Sequence, residues 1–253
     1  MNQNAINREI VRFGVLVAAL LLVYAMLRTT GLYELTGRET EGLNTLILLI
    51  GSIYAVILAF AIFVIWGQFV DVENSVMRET NSLSELLRFS EYVPSELARE
   101  IQKAVEEYAH RVLKYEWHAL GEGRRDARAE ELFSDLITVV IARDQSIPPD
   151  SPEHAFHVRL IDIVRSAGEC RGERVTESMT RIPPTLFGFV NIIATVLLLL
   201  VLVYPFHHAG VGASCIVLVT IILFLANFVM RDMDNPLEGA WNISPRPFSE
   251  LKY

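Results

Sequence analysis

Two long runs without a charged side chain constrain this chain more than any other feature. No Asp, Glu, Lys or Arg occurs between Leu43 and Val70, and none between Leu186 and Met230. A helix needs about 20 mostly apolar residues to cross a bilayer, and both runs exceed that length. The mean hydropathy is +0.34 and the net charge is −8. The composition therefore indicates a membrane protein and excludes a nucleic-acid-binding protein, which needs a basic surface.

Four segments are predicted to cross the membrane. They are Ile10 to Leu27, Leu43 to Trp66, Leu186 to Phe206 and Val211 to Met230. A secretory signal peptide is the alternative for the first segment, but Arg28 and two threonines follow it instead of a small-residue cleavage site. The last two segments are joined by a short link and are predicted to form a helical hairpin.

The predicted fold class is an all-α membrane protein with four transmembrane helices and a cytoplasmic helical domain between the second and third spans. The predicted domains are 1–42 (first transmembrane helix and exterior loop), 43–70 (second transmembrane helix), 71–184 (cytoplasmic helical domain), 185–230 (transmembrane hairpin) and 231–253 (cytoplasmic tail). Of the 52 charged residues, 37 lie between Asp71 and Arg181, which indicates that this part of the chain is in water.

Basic residues set the predicted orientation. Cytoplasmic segments of membrane proteins carry an excess of Lys and Arg. With four spans, both termini share one side of the membrane with the middle segment. In the short segments that side carries Arg8, Arg12, Arg231 and Arg246, and the other side carries Arg28 and Arg38. Both termini and the middle segment are therefore predicted to be cytoplasmic.

The middle segment has the apolar periodicity of helices. The second span is predicted to continue into it as one rod that ends at Pro94. Ser95 is then predicted to cap a second helix, and Gly121 and Gly123 are predicted to end it. Its predicted apolar stripe is Leu97, Ile101, Val105, Tyr108, Val112 and Tyr115. Two further helices are predicted over about 125–143 and 152–180, separated by a proline-rich turn at 146–150.

No catalytic motif is visible, so no enzyme and no cofactor are predicted. The pair His154 and His157 has the spacing that places two imidazoles on one helix face, where they can bind a metal. Glu153 could add a carboxylate, but no third or fourth ligand is evident. The alternative is an ordinary solvated helix face, and the sequence favours it.

The second span carries two patterns of interest. Small residues at positions 51, 52, 55, 59 and 61 allow helices to approach closely. Val56, Phe60 and Phe63 are spaced to form an apolar ring if several copies of this helix meet on an axis, and such rings close pores by excluding water. The alternative is that these residues make ordinary bundle and lipid contacts.

The tail after the fourth span is the other unusual segment. Pro236 ends the helix and Gly239 permits a sharp turn. Asp234, Glu238 and nearby carbonyl groups are oxygen ligands of the kind that a hard cation prefers. The alternative is a structural tail that packs on the cytoplasmic helices.

An ordered set of residues in this chain resembles a known family. The set is Ile53–Phe60 leading to Trp66, Glu79, Tyr108, Glu116-Trp117, Arg171 with Arg174, Pro183, Asp234-Asn235-Pro236-Leu237-Glu238-Gly239 and Ser244–Phe248. It resembles the bestrophin-like bacterial membrane proteins, which are distantly similar to the bestrophin anion channels. The resemblance extends from about Leu43 to Phe248.

The resemblance implies a homo-oligomer, a pentamer in true bestrophins, in the bacterial inner membrane. It implies that the second span lines an ion-conducting pore, with Val56, Phe60 and Phe63 as candidates for a hydrophobic neck. The implied partners are membrane lipids and further copies of the chain, without nucleic acid. A non-conducting, membrane-anchored helical scaffold remains the alternative.

The tail departs from the animal members of the resembled group. Their acid-rich run after the Asn-Pro motif binds calcium, whereas here Leu237 replaces an aromatic residue and Trp241 stands near the place of the acids. Calcium gating is therefore not expected, and Asp234 and Glu238 remain the only candidates for a metal in the tail. The predicted cytoplasmic segment has a charge of −7, which favours cations, while helix N-termini favour anions. The permeant ion stays open.

Overall fold

The computed structural model describes residues 3–30, 36–37, 39–142 and 150–251, with side chains from residue 10 onward. All regular structure in these ranges is helical. The helices are α1 (Gln3–Leu27), α2 (Thr40–Ser90), α3 (Ser95–Arg111), a π-helical turn (Val112–Glu116), α4 (Trp117–Gly121), α5 (Ala127–Ala142), α6 (Pro152–Met179), α7 (Pro184–Val203), α8 (Ala209–Met233) and α9 (Arg246–Ser249). Of the predicted turn at 146–150, residues 146–149 lie outside the described residues.

Four helices are long and apolar enough to cross a membrane. They are α1, α2, α8 and the range Pro152–Val203. The apolar part of that range is helix α7. The predicted rod is present as one continuous helix, α2, which ends at Ser90 before Pro94. Proline disfavours helical geometry in the residue before it and lacks an N–H, so the chain turns there.

The chain divides into two compact units. The first unit consists of Met1–Trp66 and Ile182–Asp234, and the second unit consists of Gly67–Arg181 and Asn235–Tyr253. Helix α2 contributes residues to both units. In the first unit, Tyr54, Ala61 and Ile65 of α2 are buried in a cluster with apolar side chains of the α7–α8 hairpin.

A polar pair joins the two helices of this hairpin. The side-chain Nδ2 of Asn227 donates a hydrogen bond to Oδ1 of Asn191 at 2.5 Å. Asn191 also donates to the carbonyl oxygen of Phe187 at 2.8 Å. Interhelical bonds of this kind stabilise membrane helices by about 0.6–2 kcal/mol each. The pair therefore fixes α7 and α8 in one relative register.

A tyrosine holds α1 against the link between α7 and α8. Tyr24 is buried, and Nη1 of Arg28 donates to the Tyr24 hydroxyl at 3.2 Å and to the carbonyl oxygen of Phe206 at 3.1 Å. The hydroxyl end of the Tyr24 side chain lies against Gly212. A Cβ at position 212 would overlap the hydroxyl and would lie 2.6 Å from Cζ of the ring. Glycine is therefore required at position 212.

Gly212→Ala should destabilise the first unit by about 1–3 kcal/mol, because the added methyl group forces Tyr24 out of its position. The measurement is the thermal unfolding midpoint of the purified protein in detergent. Gly210→Ala is the matched control, since it lies in the same helix and a Cβ there meets nothing within 4 Å. Equal midpoints for the two variants would contradict the proposed contact.

The core of the second unit lies between α2, α3, α5 and α6, with the tail packed on it. His157 belongs to this core. Its side chain is fully buried, and Nε2 lies 2.7 Å from the carbonyl oxygen of Val140. The predicted solvated face is therefore wrong for His157. In the described part of the chain, no group of three or more His, Cys, Asp or Glu side chains is arranged to hold a metal.

The predicted apolar stripe of α3 is wrong at one position. Tyr115 is 45% exposed, and the neighbouring Glu116 is buried in its place. The prediction assumed a regular α-helix, in which the seventh residue after Tyr108 lies on the same face. The π-helical turn Val112–Glu116 adds about one residue to the turn, so the buried position moves from 115 to 116.

Candidate functional site

The first candidate site is a face of α2 in the first unit. Val56, Phe60 and Phe63 are 71%, 63% and 73% exposed. They follow one another at spacings of four and three residues and therefore lie on one face of the helix. We call these three residues the exposed stripe. The opposite face of α2, with Ala61 and Ile65, is buried in the unit's own core.

The small residues predicted to allow close helix contact divide between these two faces. Ala61 is fully buried inside the first unit, and a Cβ on Gly51 would lie 3.9 Å from Leu197 of α7. Ala55 and Ala59, in contrast, are exposed beside the stripe. Two small residues four positions apart let another helix approach closely. The exposed face of α2 therefore has both bulky apolar side chains and a shallow surface next to them.

The second candidate site is a buried group of charged side chains in the second unit. It consists of Glu79 on α2, Tyr108 on α3, Glu116 in the π-helical turn, and Arg171 and Arg174 on α6. We call these five residues the ion cluster. All five belong to the set of residues that carries the family resemblance, and the structure brings them together in the second unit. Two carboxylates and two guanidinium groups leave the cluster without net charge.

Arg174 lies at the centre of the ion cluster and is fully buried. Its Nε donates to Oε2 of Glu79 at 2.5 Å, and its Nη2 donates to Oε2 of Glu116 at 2.7 Å. The guanidinium group also lies over the ring of Phe248 in the tail, with Cζ at 5.4 Å from the ring centroid. Arg174 therefore links α2, the π-helical turn and the tail of the second unit.

Tyr108 and Arg171 complete the cluster. The Tyr108 hydroxyl donates to Oε1 of Glu79 and accepts from Nη1 of Arg171 at 2.9 Å. Nη2 of Arg171 pairs with Oε1 of Glu116 at 2.8 Å. Glu116 thus has two charged partners and Glu79 has one, each within hydrogen-bond distance. This matters because an unpaired buried charge is strongly unfavourable.

The surroundings shift the protonation equilibria of the cluster. Burial alone would raise the pKa of Glu116, but Arg174 and Arg171 outweigh it and lower that pKa below the ordinary value. Burial and the neighbouring Glu79 raise the pKa of Tyr108 well above its usual value. Burial disfavours the charged form of Arg174, yet Glu79 and Tyr108 raise its pKa. Glu116, Arg171 and Arg174 therefore remain ionised at neutral pH, and Tyr108 remains a hydrogen-bond donor.

The lowered pKa of Glu116 predicts acid sensitivity of the second unit. Its stabilising contribution is fully present above the unfolded pKa of about 4.3 and is lost as the pH falls through the lower pKa of the folded state. The thermal midpoint should therefore fall between about pH 5 and pH 3, and it should fall less steeply in Glu116→Gln. The exposed Glu107→Gln is the control and should keep the wild-type slope. Equal slopes in all three proteins would disprove the assignment.

The Asn-Pro segment supplies backbone contacts in both units. In the first unit, Oδ1 of Asp234 accepts from the backbone N–H of Ile182 at 2.8 Å. In the second unit, Oδ1 of Asn235 accepts from Nη2 of Arg181 at 3.1 Å, and its Nδ2 donates to the carbonyl oxygen of Gly121 at 2.9 Å. Asn235 therefore satisfies the carbonyl at the end of α4.

The rest of the tail folds back on the second unit. Gly239 has φ of +111°, a left-handed conformation that favours glycine, and the N–H of Ile243 donates to the carbonyl oxygen of Pro236 at 2.8 Å. Phe248 is fully buried, with its ring 6.4 Å from that of Trp117. The predicted structural role of the tail, rather than a cation site, fits these contacts.

The two weak metal candidates have other partners. Asp234 accepts the backbone hydrogen bond described above, and Oε1 of Glu238 lies 2.9 Å from Nδ1 of His118. The two side chains also belong to different units. Among the described residues, neither side chain belongs to a group of three or more His, Cys, Asp or Glu side chains that could hold a metal.

Sequence reasoning missed two parts of the ion cluster. The sequence predicts Tyr108 only as an apolar residue of the α3 stripe and as part of the resembling set. It does not predict the π-helical turn that places Glu116 inward. One signal was present: Arg171 and Arg174 are three residues apart and lie on one face of α6, among residues that the helical period places inward.

Comparisons with known proteins agree with this fold. A family model described as a Bestrophin-like domain matches residues 13–248. The crystal structure of a bacterial bestrophin homolog from Klebsiella pneumoniae matches with a TM-score of 0.66 and 11% identity, covering 92% of each chain. A point variant of a homolog from the same organism matches with a TM-score of 0.67 and 12% identity, covering 92% of this chain and 94% of the other. No curated protein sequence matches significantly.

The structural likeness at this identity establishes the fold, and the family model covers most of the chain. The four apolar helices give the protein the character of a membrane protein. The chain belongs to the bestrophin-like family.

Proposed function

We propose that this protein is a homo-oligomeric ion channel in which α2 lines the pore and the exposed stripe forms a hydrophobic neck. The observation that carries the proposal is the position of Val56, Phe60 and Phe63, which are exposed on a helix whose other face is buried in its own unit. Membership of the bestrophin-like family, whose members are of channel type, supports it.

The chemistry of the stripe suits a gate. A narrow ring of apolar side chains offers an ion no replacement for its hydration shell, and water itself leaves such a constriction. Ala55 and Ala59 beside the stripe leave room for the neighbouring copy of α2 to approach. Several copies around one axis would therefore place the bulky residues toward the axis and the small ones at the helix–helix contacts.

The proposed topology follows from charge. The second unit and both termini are placed in the cytoplasm of a bacterium, with the first unit in the inner membrane, because the short segments on that side carry more arginine. Membrane lipids and further copies of the chain are the proposed partners. The proposal does not fix the sign of the permeant ion.

Reconstitution into planar lipid bilayers tests the proposal. The purified, stable oligomer should give currents that scale with the amount of protein, and reversal potentials in unequal salt solutions will give the sign of the ion. Protein with Phe60→Trp should conduct less, because a larger ring narrows the neck. If a stable oligomer gives no current at any voltage or pH, the channel function is rejected.

One feature favours a second candidate, a scaffold that binds cytoplasmic partners without conducting. Tyr92 and Phe156 stack in the second unit with ring centroids 4.9 Å apart, and Tyr92 is largely exposed. Exposed aromatic pairs are frequent in protein interfaces. Two results together would support this candidate. The stable oligomer would give no current, and Tyr92→Ala would abolish its binding to a cytoplasmic partner.

A further inference from the structure

The register of buried residues changes between Tyr108 and Leu120 in the second unit. The inward-facing residues from α3 through the π-helical turn to α4 are Leu97, Ile101, Val105, Tyr108, Val112, Glu116 and Leu120. Tyr108 and Glu116 are eight residues apart and both belong to the ion cluster. In a regular α-helix, eight residues leave two side chains about 80° out of line, whereas seven residues leave them about 20° out of line. The chain therefore contains one residue more than this face requires.

The backbone shows where the extra residue is accommodated. The N–H of Trp117 donates to the carbonyl oxygen of Val112, five residues earlier, instead of the carbonyl four residues earlier. A turn closed by such a bond holds about one residue more than an α-helical turn. Upstream of it, the N–H of Val112 is shared between the carbonyl oxygens of Ala109 and Tyr108, and the second of these lies four residues earlier, as in an α-helix. The register change is thus confined to Val112–Glu116.

We infer that the π-helical turn is a one-residue insertion relative to the register of the core. Removing one exposed residue from it leaves a regular α-helix, in which Glu116 becomes the seventh residue after Tyr108. Glu116 and Trp117 then keep their direction toward α6 and the tail. The ion cluster consequently does not depend on the π geometry, although one of its members, Glu116, lies in the turn.

The extra residue instead shapes the outer surface of the turn. Lys114 and Tyr115 are exposed, and the guanidinium group of Arg111 lies over the Tyr115 ring at 4.2 Å. Tyr115 and Leu113 line an open groove of about 780 Å³, which Phe248 also lines. Deletion of a residue from the turn therefore changes this groove and spares the core.

Deletion of single residues from the full-length protein tests the inference. Deletion of Lys114 should keep the thermal midpoint in detergent within about 4 °C of the parent protein. Deletion of Lys103, an exposed residue of the regular part of α3, should lower the midpoint by more than about 10 °C or prevent folding, since it rotates Leu97 and Ile101 by about 100°. Lys114→Ala keeps the length and controls for the lost charge.

A second readout reports on the ion cluster itself. Glu116→Gln should lower the midpoint by the same amount in the parent and in the protein lacking Lys114, because Glu116 reaches Arg174 in both. The inference is overturned if deletion of Lys114 is as damaging as deletion of Lys103. It is also overturned if the shortened protein is stable but no longer responds to Glu116→Gln, since Glu116 would then have left the cluster.

Discussion

Arg174→Gln should lower the free energy of unfolding of the second unit by about 3–5 kcal/mol, which is the usual effect of removing one partner from a buried ion pair. The substitution removes two charged contacts at once, those with Glu79 and Glu116. One guanidinium group, that of Arg171, then faces two buried carboxylates. The expected consequence is a large fall in the unfolding midpoint measured by circular dichroism in detergent.

A surface pair provides the matched control for this prediction. Arg159 and Glu85 are 2.9 Å apart on the same two helices, α6 and α2, but both side chains are substantially exposed. Solvent-exposed pairs contribute about 0–1 kcal/mol, so Arg159→Gln should change the midpoint little. A similar small effect for both substitutions would show that the ion cluster is not a main source of stability.

The protonation of the cluster gives the Arg174→Gln prediction a second readout. Without Arg174, one of the two carboxylates loses its main counter-charge, and burial then favours its protonated form. The variant should therefore regain part of its lost stability when the pH is lowered toward about 5, whereas the parent protein should not gain. Parallel pH profiles for the two proteins would contradict this account of the cluster.

Phe60→Ala should raise the basal conductance of reconstituted channels by about tenfold, the change that about 1.4 kcal/mol of lost barrier produces at 25 °C. The substitution removes an exposed ring from the centre of the stripe, so a wider and wetter constriction opposes the ion less. Single-channel and macroscopic currents in planar bilayers give the measurement.

An exposed phenylalanine on another helix controls for general effects of the substitution. Phe189 of α7 is half exposed on the same unit, and Phe189→Ala should leave the conductance unchanged. Val56→Ala and Phe63→Ala should resemble Phe60→Ala, since they share its face of α2. An unchanged conductance in Phe60→Ala would remove Phe60 from the neck.

The membrane helices could be predicted from the sequence because their signal is local. A run without charge, such as that from Leu43 to Val70, has few alternatives once its length exceeds the bilayer thickness. The helices of the second unit were predictable for the same kind of reason. Their caps were not predictable in this way. The predicted cap at Ser95 is wrong, because Ser95 is the first residue of α3 and Pro94 occupies the cap position without a side-chain hydrogen bond. The cap of α6 is Ser151, which accepts a hydrogen bond from the N–H of His154 and was not predicted.

Register within a helix was less predictable than the helix itself. A period of 3.6 residues places Tyr115 on the inner face of α3, and the structure places Glu116 there. The difference arises from one extra residue in the π-helical turn, for which the sequence carries no distinct signal. A similar limit applied to His157, whose buried imidazole lies 2.7 Å from the carbonyl oxygen of Val140 on another helix, since a local pattern does not show which helices meet.

The contacts within the ion cluster lie beyond what local sequence patterns can predict. Arg174 contacts Glu79, which is 95 residues earlier in the chain, and such pairs depend on how the helices pack. The resemblance to the bestrophin-like family pointed to both residues without showing that they meet. Similarly, no periodicity could show that Tyr24 requires a glycine at position 212.

The central functional claim is that copies of α2 surround a pore with the exposed stripe toward its axis. The most direct test is cryo-electron microscopy of the purified full-length protein in lipid nanodiscs. The expected result is a closed ring of identical chains whose narrowest point is formed by Val56, Phe60 and Phe63. A monomer, or a ring in which these three side chains face the lipid, would contradict the claim.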